Sequence, residues 1–263
     1  MDGVPHRLLT PSPALAPFVS RFRIVSPSPD GVRRTWTRLP EVGTAVVLCR
    51  ENGAAHLLAV GPGTRARSRS VEGIPFHVRA ELRPGAAHAL LGAPIAALGD
   101  RATDLAELWS ARALRSAPAL DDETNDPDRA VASIESLLLE RVRRVGETRL
   151  RERVAISDRV TRLGAHVEPV PTWARRVGTS ERSLRRLFHD EIGVSPSLYV
   201  RIVRLRGAIA RAGSAPWSRI AADLGFADAS HLAAEFRAFL GAAPTRFVAT
   251  GTRCGGEMRP HDR

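Results

Sequence analysis

The spacing of apolar residues divides the chain into an N-terminal part with strand patterns and a longer remainder with helical patterns. In the N-terminal part, short apolar runs are separated by turn signals rich in glycine and proline. These runs predict strands at Arg21–Val25, Thr44–Cys49, His56–Val60 and Phe76–Leu82. The last run alternates apolar and polar residues, which is typical of a half-buried strand. Short strands at close spacing predict a barrel or a sandwich, with Arg65–Arg69 as an exposed loop.

Helical spacing begins at Pro84. The patterns predict a polar loop over Ser116–Asp128 and helices at Pro84–Gly92, Pro94–Leu98, Ala102–Arg112, Val131–Val145 and Val154–Leu163. In the helix at Val131–Val145, apolar residues recur at three- and four-residue spacing. Such a stripe packs either onto the domain that carries it or onto a second copy of the chain, and the sequence leaves both open.

The C-terminal third contains an internal repeat. At an offset of 48 residues, Leu184, Phe188, Gly193, Pro196 and Tyr199 match Leu232, Phe236, Gly241, Pro244 and Phe247. Each copy has the order helix, glycine turn, helix, which is the pattern of a helix-turn-helix unit. A helix from Ser197 to about Ala212 links the copies, so the second helix of each unit can enter successive major grooves about 34 Å apart.

The second helix of the first copy carries a candidate DNA-reading face. Ser180 is a good N-cap and Gly193 is a good stop. Helical spacing gathers an apolar stripe of Leu184, Leu187, Phe188 and Ile192. The opposite face holds Arg182, Arg185, Arg186 and His189. An ordinary solvated face is the alternative, and the repetition of the unit favours DNA binding.

Residues from about 165 to 248 resemble the tandem helix-turn-helix domain of AraC/XylS-type transcriptional regulators. The resemblance rests on Ser180–Phe188 with Gly193–Tyr199, Arg204–Arg206, Ile220–Phe226 and Phe236–Pro244. It implies base contacts from Arg182, Arg185 and Arg186 on the first recognition helix, and contacts near Ala229, Ser230 and His231 on the second. Further DNA-binding candidates are Ser180, Ser183, His189 and Arg237. Where family members often carry polar or basic residues late on the second helix, this chain has Ala233 and Ala234.

Residues 61–109 resemble, more loosely, the N-terminal sensor-like domain of a subset of these regulators. The matching stretches are Val60–Pro62, Leu82–Ala87, Leu90–Gly92 and Asp104–Trp109. The resemblance implies a cupin-like β fold with flanking helices. We therefore expect an α+β chain with an N-terminal cupin-like β barrel and a C-terminal all-α tandem helix-turn-helix domain. The expected regions are a sensor domain at 1–115, a linker with helices at 116–164 for which dimerisation is one of the two open alternatives, the DNA-binding domain at 165–248 and a disordered tail at 249–263.

Charge supports a polyanionic partner. The formal net charge is +11, and all 39 basic residues are arginine. Residues 171–248 hold 12 arginines against 6 acidic residues, a net charge of +6, so more than half of the excess lies in under a third of the chain. No signal-peptide pattern and no apolar run of membrane length occurs, which predicts a cytoplasmic protein with no membrane partner.

Catalytic chemistry has little support in the sequence. His56, His77 and His88 are isolated, and no His-x-His pair suggests a metal site. No nucleophile elbow, Walker loop or dinucleotide fingerprint occurs. Cys49 and Cys254 are far apart and neither has a paired metal spacing. We expect no enzyme, no catalytic residue, no metal and no cofactor.

One alternative comes from a different functional class. AraC-like domains also occur fused to methyl-accepting cysteines, which makes a DNA-repair alkyl acceptor the rival interpretation. That chemistry needs an activated thiolate beside a base or metal ligands. Cys49 lies in an apolar predicted strand and Cys254 in the predicted tail.

The sequence therefore predicts a sequence-specific, double-stranded DNA-binding transcriptional regulator controlled through its N-terminal domain. The expected partner of the C-terminal domain is double-stranded DNA. For the N-terminal domain we expect a small-molecule effector, which the sequence does not identify, another partner, or a second copy of the chain in a homodimer. An activator would also contact RNA polymerase.

Overall fold

The computed structural model describes residues 6–26, 28–51, 54–74, 76–110, 114, 126–164, 169–249 and 259–262. The strands are β1 His6–Leu9, β2 Val19–Val25, β3 Ser28–Arg38, β4 Thr44–Glu51, β5 Ala54–Val60, β6 Arg67–Ile74, β7 Phe76–Leu82, β8 Ala102–Asp104 and β9 Arg259–Asp262. The helices are α1 Ala87–Leu91, a 3-10 helix at Ile95–Leu98, α2 Leu105–Leu108, α3 Pro127–Val145, α4 Glu147–Gly164, α5 Val170–Val177, α6 Glu181–Leu187, a π-helical turn at Phe188–Ile192, α7 Pro196–Ala210, α8 Trp217–Asp223, α9 Ala229–Leu240 and α10 Pro244–Ala249.

The N-terminal region comprises residues 6–110, α3 and the start of α4, whose Leu150 and Val154 pack in the same core. It contains two antiparallel sheets, and β9 joins the smaller of them from the far end of the chain. The larger sheet has the order β1-β2-β7-β4-β5-β8, and the smaller has the order β6-β3-β9. The four strands predicted from the apolar runs are confirmed as β2, β4, β5 and β7, with β7 at the predicted bounds. The chain is therefore a mixed α+β protein with a β-rich N-terminal region and a helical C-terminal region.

The predicted cupin-like barrel is not confirmed. Among the described strands, β1 and β8 are the edges of the larger sheet, and no pairing joins them. Helix α3 covers the apolar face that a closed barrel would enclose, because Ile134 and Leu138 share one core with Phe22 and Val46 of the sheet. Within the described residues, the sheet thus buries its apolar face under α3, and no pairing between its two edges closes it into a barrel.

The apolar stripe of α3 packs within its own chain. Ile134, Leu138 and Val142 are at most 4% exposed and belong to the core of the N-terminal region. The stripe therefore packs onto the domain that carries it, which is one of the two predicted alternatives. It is not free to bind a second copy of the chain. Asp126 caps the helix by accepting from the Asp128 and Arg129 amides. Most of the loop predicted at Ser116–Asp128 lies outside the described residues.

Four local predictions are corrected by strand pairing or an early helix start. Ala102–Asp104 is not helical, since it pairs with β5 as β8. Arg67–Arg69 belongs to β6 rather than to an exposed loop. Arg259–Asp262, in the tail predicted to be disordered, pairs with β3 as β9. Each segment supplies partners for the unpaired backbone groups of a strand edge, a long-range demand that local composition does not reveal. The fourth helix begins at Glu147 rather than near Val154.

The helical C-terminal region, residues 169–249, has two cores, one for each helix-turn-helix unit. Trp173, Leu184 and Phe188 lie in the first core, and Ile220, Leu232 and Phe236 lie in the second. Leu198 of α7 packs against both. Within the described residues, no helix is long and apolar enough to cross a membrane.

Candidate nucleic-acid interface

The first helix-turn-helix unit consists of α5, a glycine turn and α6. Gly178 ends α5 with a φ of +75°, a conformation that glycine adopts without steric cost. The Ser180 Oγ accepts a hydrogen bond from the Ser183 amide at 3.1 Å and caps α6, as the sequence predicts. The Ser180 and Ser183 hydroxyls lie 3.0 Å apart. Both serines therefore stand at the start of the recognition helix, with Ser180 used in the cap.

Aromatic packing fixes the buried face of α6. The Trp173 Nε1 donates to the Val160 carbonyl of α4 at 3.1 Å. Phe188 meets the Trp173 ring edge to face at 4.9 Å and the Tyr199 ring at 5.3 Å. Because Leu184 and Phe188 are fully buried, the opposite face of α6 must point to solvent.

The recognition helix ends in a wider turn than the sequence predicts. Phe188–Ile192 is π-helical, and the Gly193 amide donates to the Phe188 carbonyl at 2.7 Å. Gly193 has a φ of +83°, so the predicted stop residue is confirmed. The sequence shows no signal for the added π turn, a feature that occurs frequently at functional sites.

On the outward face of α6 and the π turn, some basic side chains are paired with an acidic neighbour and others are not. Arg182, Arg185, Arg186 and His189 are all exposed. Arg185 pairs with Glu181 at 2.8 Å, and the His189 Nδ1 lies 2.9 Å from the Asp190 carboxylate. In the part of the chain that the structure describes, Arg182 and Arg186 have no ion pair or side-chain hydrogen bond. Their guanidinium groups are therefore the two on this face that no other described side chain engages.

The second recognition helix, α9, has a smaller exposed face. Asp228 caps it by accepting from the His231 amide at 2.7 Å. The His231 Nδ1 accepts from the Ala227 amide at 3.4 Å, and the ring packs edge-on to Phe226. Ser230 and Arg237 are exposed, whereas Ala229 is half-buried. His231 thus braces the turn, and Arg237 is the basic group that α9 offers.

Two arginines missed by sequence reasoning hold the second unit on α7. Arg201 makes a two-pronged ion pair with Glu235, with both contacts at 3.0 Å. Arg204 donates to the Leu224 and Gly225 carbonyls and stacks 4.0 Å from the centre of the Phe226 ring. The family-like stretch Arg204–Arg206 is the signal that could have found this contact, and Arg204 uses its charge inside the fold.

Glu191, at the end of the π turn, contacts the other part of the chain. Its side chain is 10% exposed, accepts a hydrogen bond from Arg153 of α4 and lies 3.5 Å from the His88 Nδ1 of α1. Burial raises the pKa of the Glu191 carboxyl, and the attraction of Arg153 and His88 opposes that rise. A cleft of about 510 Å³ beside this contact reaches Ser183 and Arg186 of the recognition helix.

Cys49 has two histidines as cross-strand neighbours. It lies directly opposite His56 of β5 and His77 of β7, so the three side chains share one face of the sheet. Across the described residues, no group of three or more His, Cys, Asp or Glu side chains could hold a metal ion. Cys254 lies outside the described residues.

Two family models and several solved structures are similar to parts or most of this chain. Residues 173–250 match "Helix-turn-helix domain" and residues 7–104 match "Domain of unknown function (DUF6597)". No curated protein matches the chain. Unsaturated fatty acid bound wild-type ToxT from Vibrio cholerae strain SCE256 is 12% identical with a TM-score of 0.36, covering 95% of this chain and 96% of that chain. ToxT from Vibrio cholerae O395 bound to (E)-4-(8-methylnaphthalen-1-yl)but-3-enoic acid is 12% identical with a TM-score of 0.39 over the same shares. At such TM-scores the likeness decides neither the fold nor a ligand of this chain.

Proposed function

We propose that this chain is an AraC-type DNA-binding transcriptional regulator and that it binds one specific double-stranded sequence through both recognition helices. The match of residues 173–250 to a helix-turn-helix domain supports this proposal. The observation that carries this proposal is the exposed face of α6, where Arg182 and Arg186 are free of partners in the described part of the chain. Arginine contacts guanine O6 and N7 with two hydrogen bonds, so the bound sequence contains guanine under these residues. Phosphate contacts supply most of the affinity.

Selection of duplexes from a random library tests this proposal. The expected result is one enriched motif with guanine at fixed positions. The double substitution Arg182→Ala with Arg186→Ala should remove that guanine preference. Arg143→Ala is the matched control, because Arg143 is an exposed, ion-paired arginine on α3. No enriched motif from the unsubstituted protein would contradict sequence-specific binding.

We also propose that the N-terminal region controls DNA binding in response to a small molecule. A cleft of about 800 Å³ supports this idea, since it combines the apolar Pro17 and Val154 with Arg83, Arg151 and Arg159. A thermal-shift screen of the full chain against a metabolite library tests it. A ligand present at 100 times its dissociation constant adds about 2.7 kcal/mol to stability. Two results together would contradict control by a small molecule. No compound in the library would stabilise the chain, and replacing the cleft arginines would leave regulation unchanged.

The remaining partners also stay proposals. We propose that a second copy of the chain binds on DNA, and that RNA polymerase is contacted if the protein activates transcription. The α3 stripe is buried, so a dimer must use another surface. Sedimentation of the full chain with and without its selected duplex measures the number of copies bound.

An alkyl acceptor remains the alternative function, and the cross-strand position of Cys49 between His56 and His77 is the observation that favours it. An imidazole beside a thiol can act as the base that activates it. Mass spectrometry after exposure to methylated DNA tests this alternative. A gain of one methyl group on Cys49 that disappears in Cys49→Ser would support repair. If Cys49 stayed unmodified, the alkyl-acceptor alternative would be contradicted.

A further inference from the structure

The N-terminal region contacts both recognition helices at equivalent positions of the internal repeat. The offset of 48 residues that aligns Phe188 with Phe236 and Gly193 with Gly241 also aligns Glu191 with Phe239. Both positions lie close to the C-terminal end of their recognition helix. Each of them accepts a hydrogen bond from outside the C-terminal region.

The first interdomain contact consists of Glu191, Arg153, His88, Ile95 and Gly193. Arg153 donates to the Glu191 carboxylate, and His88 accompanies it from α1. A Cβ at Gly193 would lie 2.8 Å from the Ile95 carbonyl oxygen, so the backbones touch at this point. The contact is close, largely buried and charge-assisted.

The helix that supplies Arg153 belongs to both regions. Leu150 and Val154 of α4 pack in the core of the N-terminal region, whereas Val160 packs in the core of the first helix-turn-helix unit. Arg153 is therefore held in place by the N-terminal core. A shift of that core would move the partner of Glu191.

The second interdomain contact consists of Ala66, Phe239, Leu39 and Val42. The Ala66 amide donates to the Phe239 carbonyl at 2.8 Å. Leu39 is 3% exposed inside the core of the second helix-turn-helix unit, and Val42 packs against both C-terminal cores. The second recognition helix is thus also fixed to the N-terminal region.

We propose that the N-terminal region holds the two recognition helices at a set distance, and that Glu191 and Arg153 are the positioning residues of this arrangement. The proposal rests on the proposed function, because a fixed helix separation selects a fixed spacing between two half-sites. Between the two units, α7 is a strut of 15 residues, about 22 Å long. Contacts at both helix ends restrict the rotation that one connecting helix would allow.

Hydrogen exchange of the full chain tests the arrangement without DNA. Glu191→Gln and Arg153→Met should each speed amide exchange at 188–193 by about tenfold, as expected when a hydrogen bond to a charged group is lost. The reversed pair Glu191→Arg with Arg153→Glu should restore slow exchange. Asp190→Asn is the matched control, since it removes a carboxylate of the same turn whose partner, His189, lies within the unit.

Binding to duplexes with half-sites at graded spacings tests the consequence for DNA. Glu191→Gln should reduce the discrimination between the preferred spacing and its neighbours by about fivefold or more, the low end of ordinary coupling between sites. Base preference within each half-site should stay unchanged. Equal exchange rates in Glu191→Gln and Asp190→Asn, or no rescue by the reversed pair, would overturn the positioning role. If the unsubstituted protein bound no specific duplex, the proposed function would fail, while the exchange experiment would still decide the contact.

Discussion

At the scale of the residue, position on a helix face does not decide what an arginine does. Arg185 and Arg186 are neighbours on α6, yet Arg185 pairs with Glu181 across one helical turn. Arg204 lies in a stretch that resembles a DNA-binding family, and it stabilises the turn of the second unit instead. The partners present in the described residues therefore separate guanidinium groups that are left unpaired from those that are already used within the fold.

Replacing Arg186 by alanine should weaken binding to the selected duplex by about 1–3 kcal/mol and relax preference at one base pair. Arg185→Ala should weaken duplex binding less than Arg186→Ala does, because the Arg185 guanidinium also forms an exposed ion pair with Glu181. Titration on matched and mismatched duplexes at one salt concentration measures both. An equal loss on all sequences would make Arg186 a phosphate contact.

Replacing Gly193 by alanine should lower the midpoint of thermal unfolding more than replacing Gly178. Both glycines have positive φ, at +83° and +75°, and an L-residue in that conformation costs about 1–2 kcal/mol. A Cβ at Gly178 meets no atom within 4 Å, whereas one at Gly193 clashes with Ile95. Equal shifts of the unfolding midpoint in the two variants would mean that the backbones at Gly193 and Ile95 separate at little cost in free energy.

At the scale of the element, the two recognition helices share a fold and differ in chemistry. Both are capped by a side chain, Ser180 or Asp228, and both end at a glycine with positive φ. The outward positions filled by Arg182, Arg185 and Arg186 in α6 and by His189 in the π turn correspond to Ser230, Ala233, Ala234 and Arg237 in α9. On the proposed function, we expect the second helix to enter the groove and hold phosphates while offering few groups to bases.

The two half-sites should therefore carry unequal information. Randomising each half-site separately and selecting bound duplexes should give strong preference under α6 and weak preference under α9. Ala234→Arg, which places a charge where α6 has Arg186, is expected to raise preference in the second half-site. Equal information in the two halves of the unsubstituted protein's motif would rule this asymmetry out.

At the scale of the whole molecule, the N-terminal and C-terminal regions are joined by apolar packing and also by buried charged side chains. Glu41 accepts from Arg38 at 3.0 Å and from Arg79 at 2.8 Å, and Arg206 of α7 adds a further attraction. Burial by itself would raise the pKa of Glu41, but the attraction of these arginines is larger, so the pKa lies below its usual value of 4.5. The charged form of Glu41 is therefore favoured by folding.

Glu41→Gln should destabilise the protein at neutral pH and lose that effect in acid. A carboxyl whose pKa is lowered by folding stabilises the native state above the unfolded pKa, and that contribution disappears as the pH falls through the folded pKa. Thermal unfolding of both proteins from pH 7 to below pH 4.5 measures the difference. Glu147→Gln, at an exposed pair with Arg151, is the control that should change little at either end. A difference that stayed constant with pH would show that lost packing, not charge, explains the variant.

The sequence by itself determined the two helix-turn-helix units, the cap and stop of the first recognition helix, and four strands of the larger sheet. These features depend on residues a few positions apart, since a cap or an apolar stripe acts within one or two helical turns. Only the tertiary structure decided that the sheet packs its apolar face on α3, that Ala102–Asp104 is a strand, and that Arg204 is used within the fold. The same holds for the contact of Arg153 with Glu191, which are 38 residues apart, and for that of Ala66 with Phe239. Such contacts depend on where distant segments meet, because a strand edge or a buried carboxylate accepts any suitably placed partner and leaves no periodic signal in the chain.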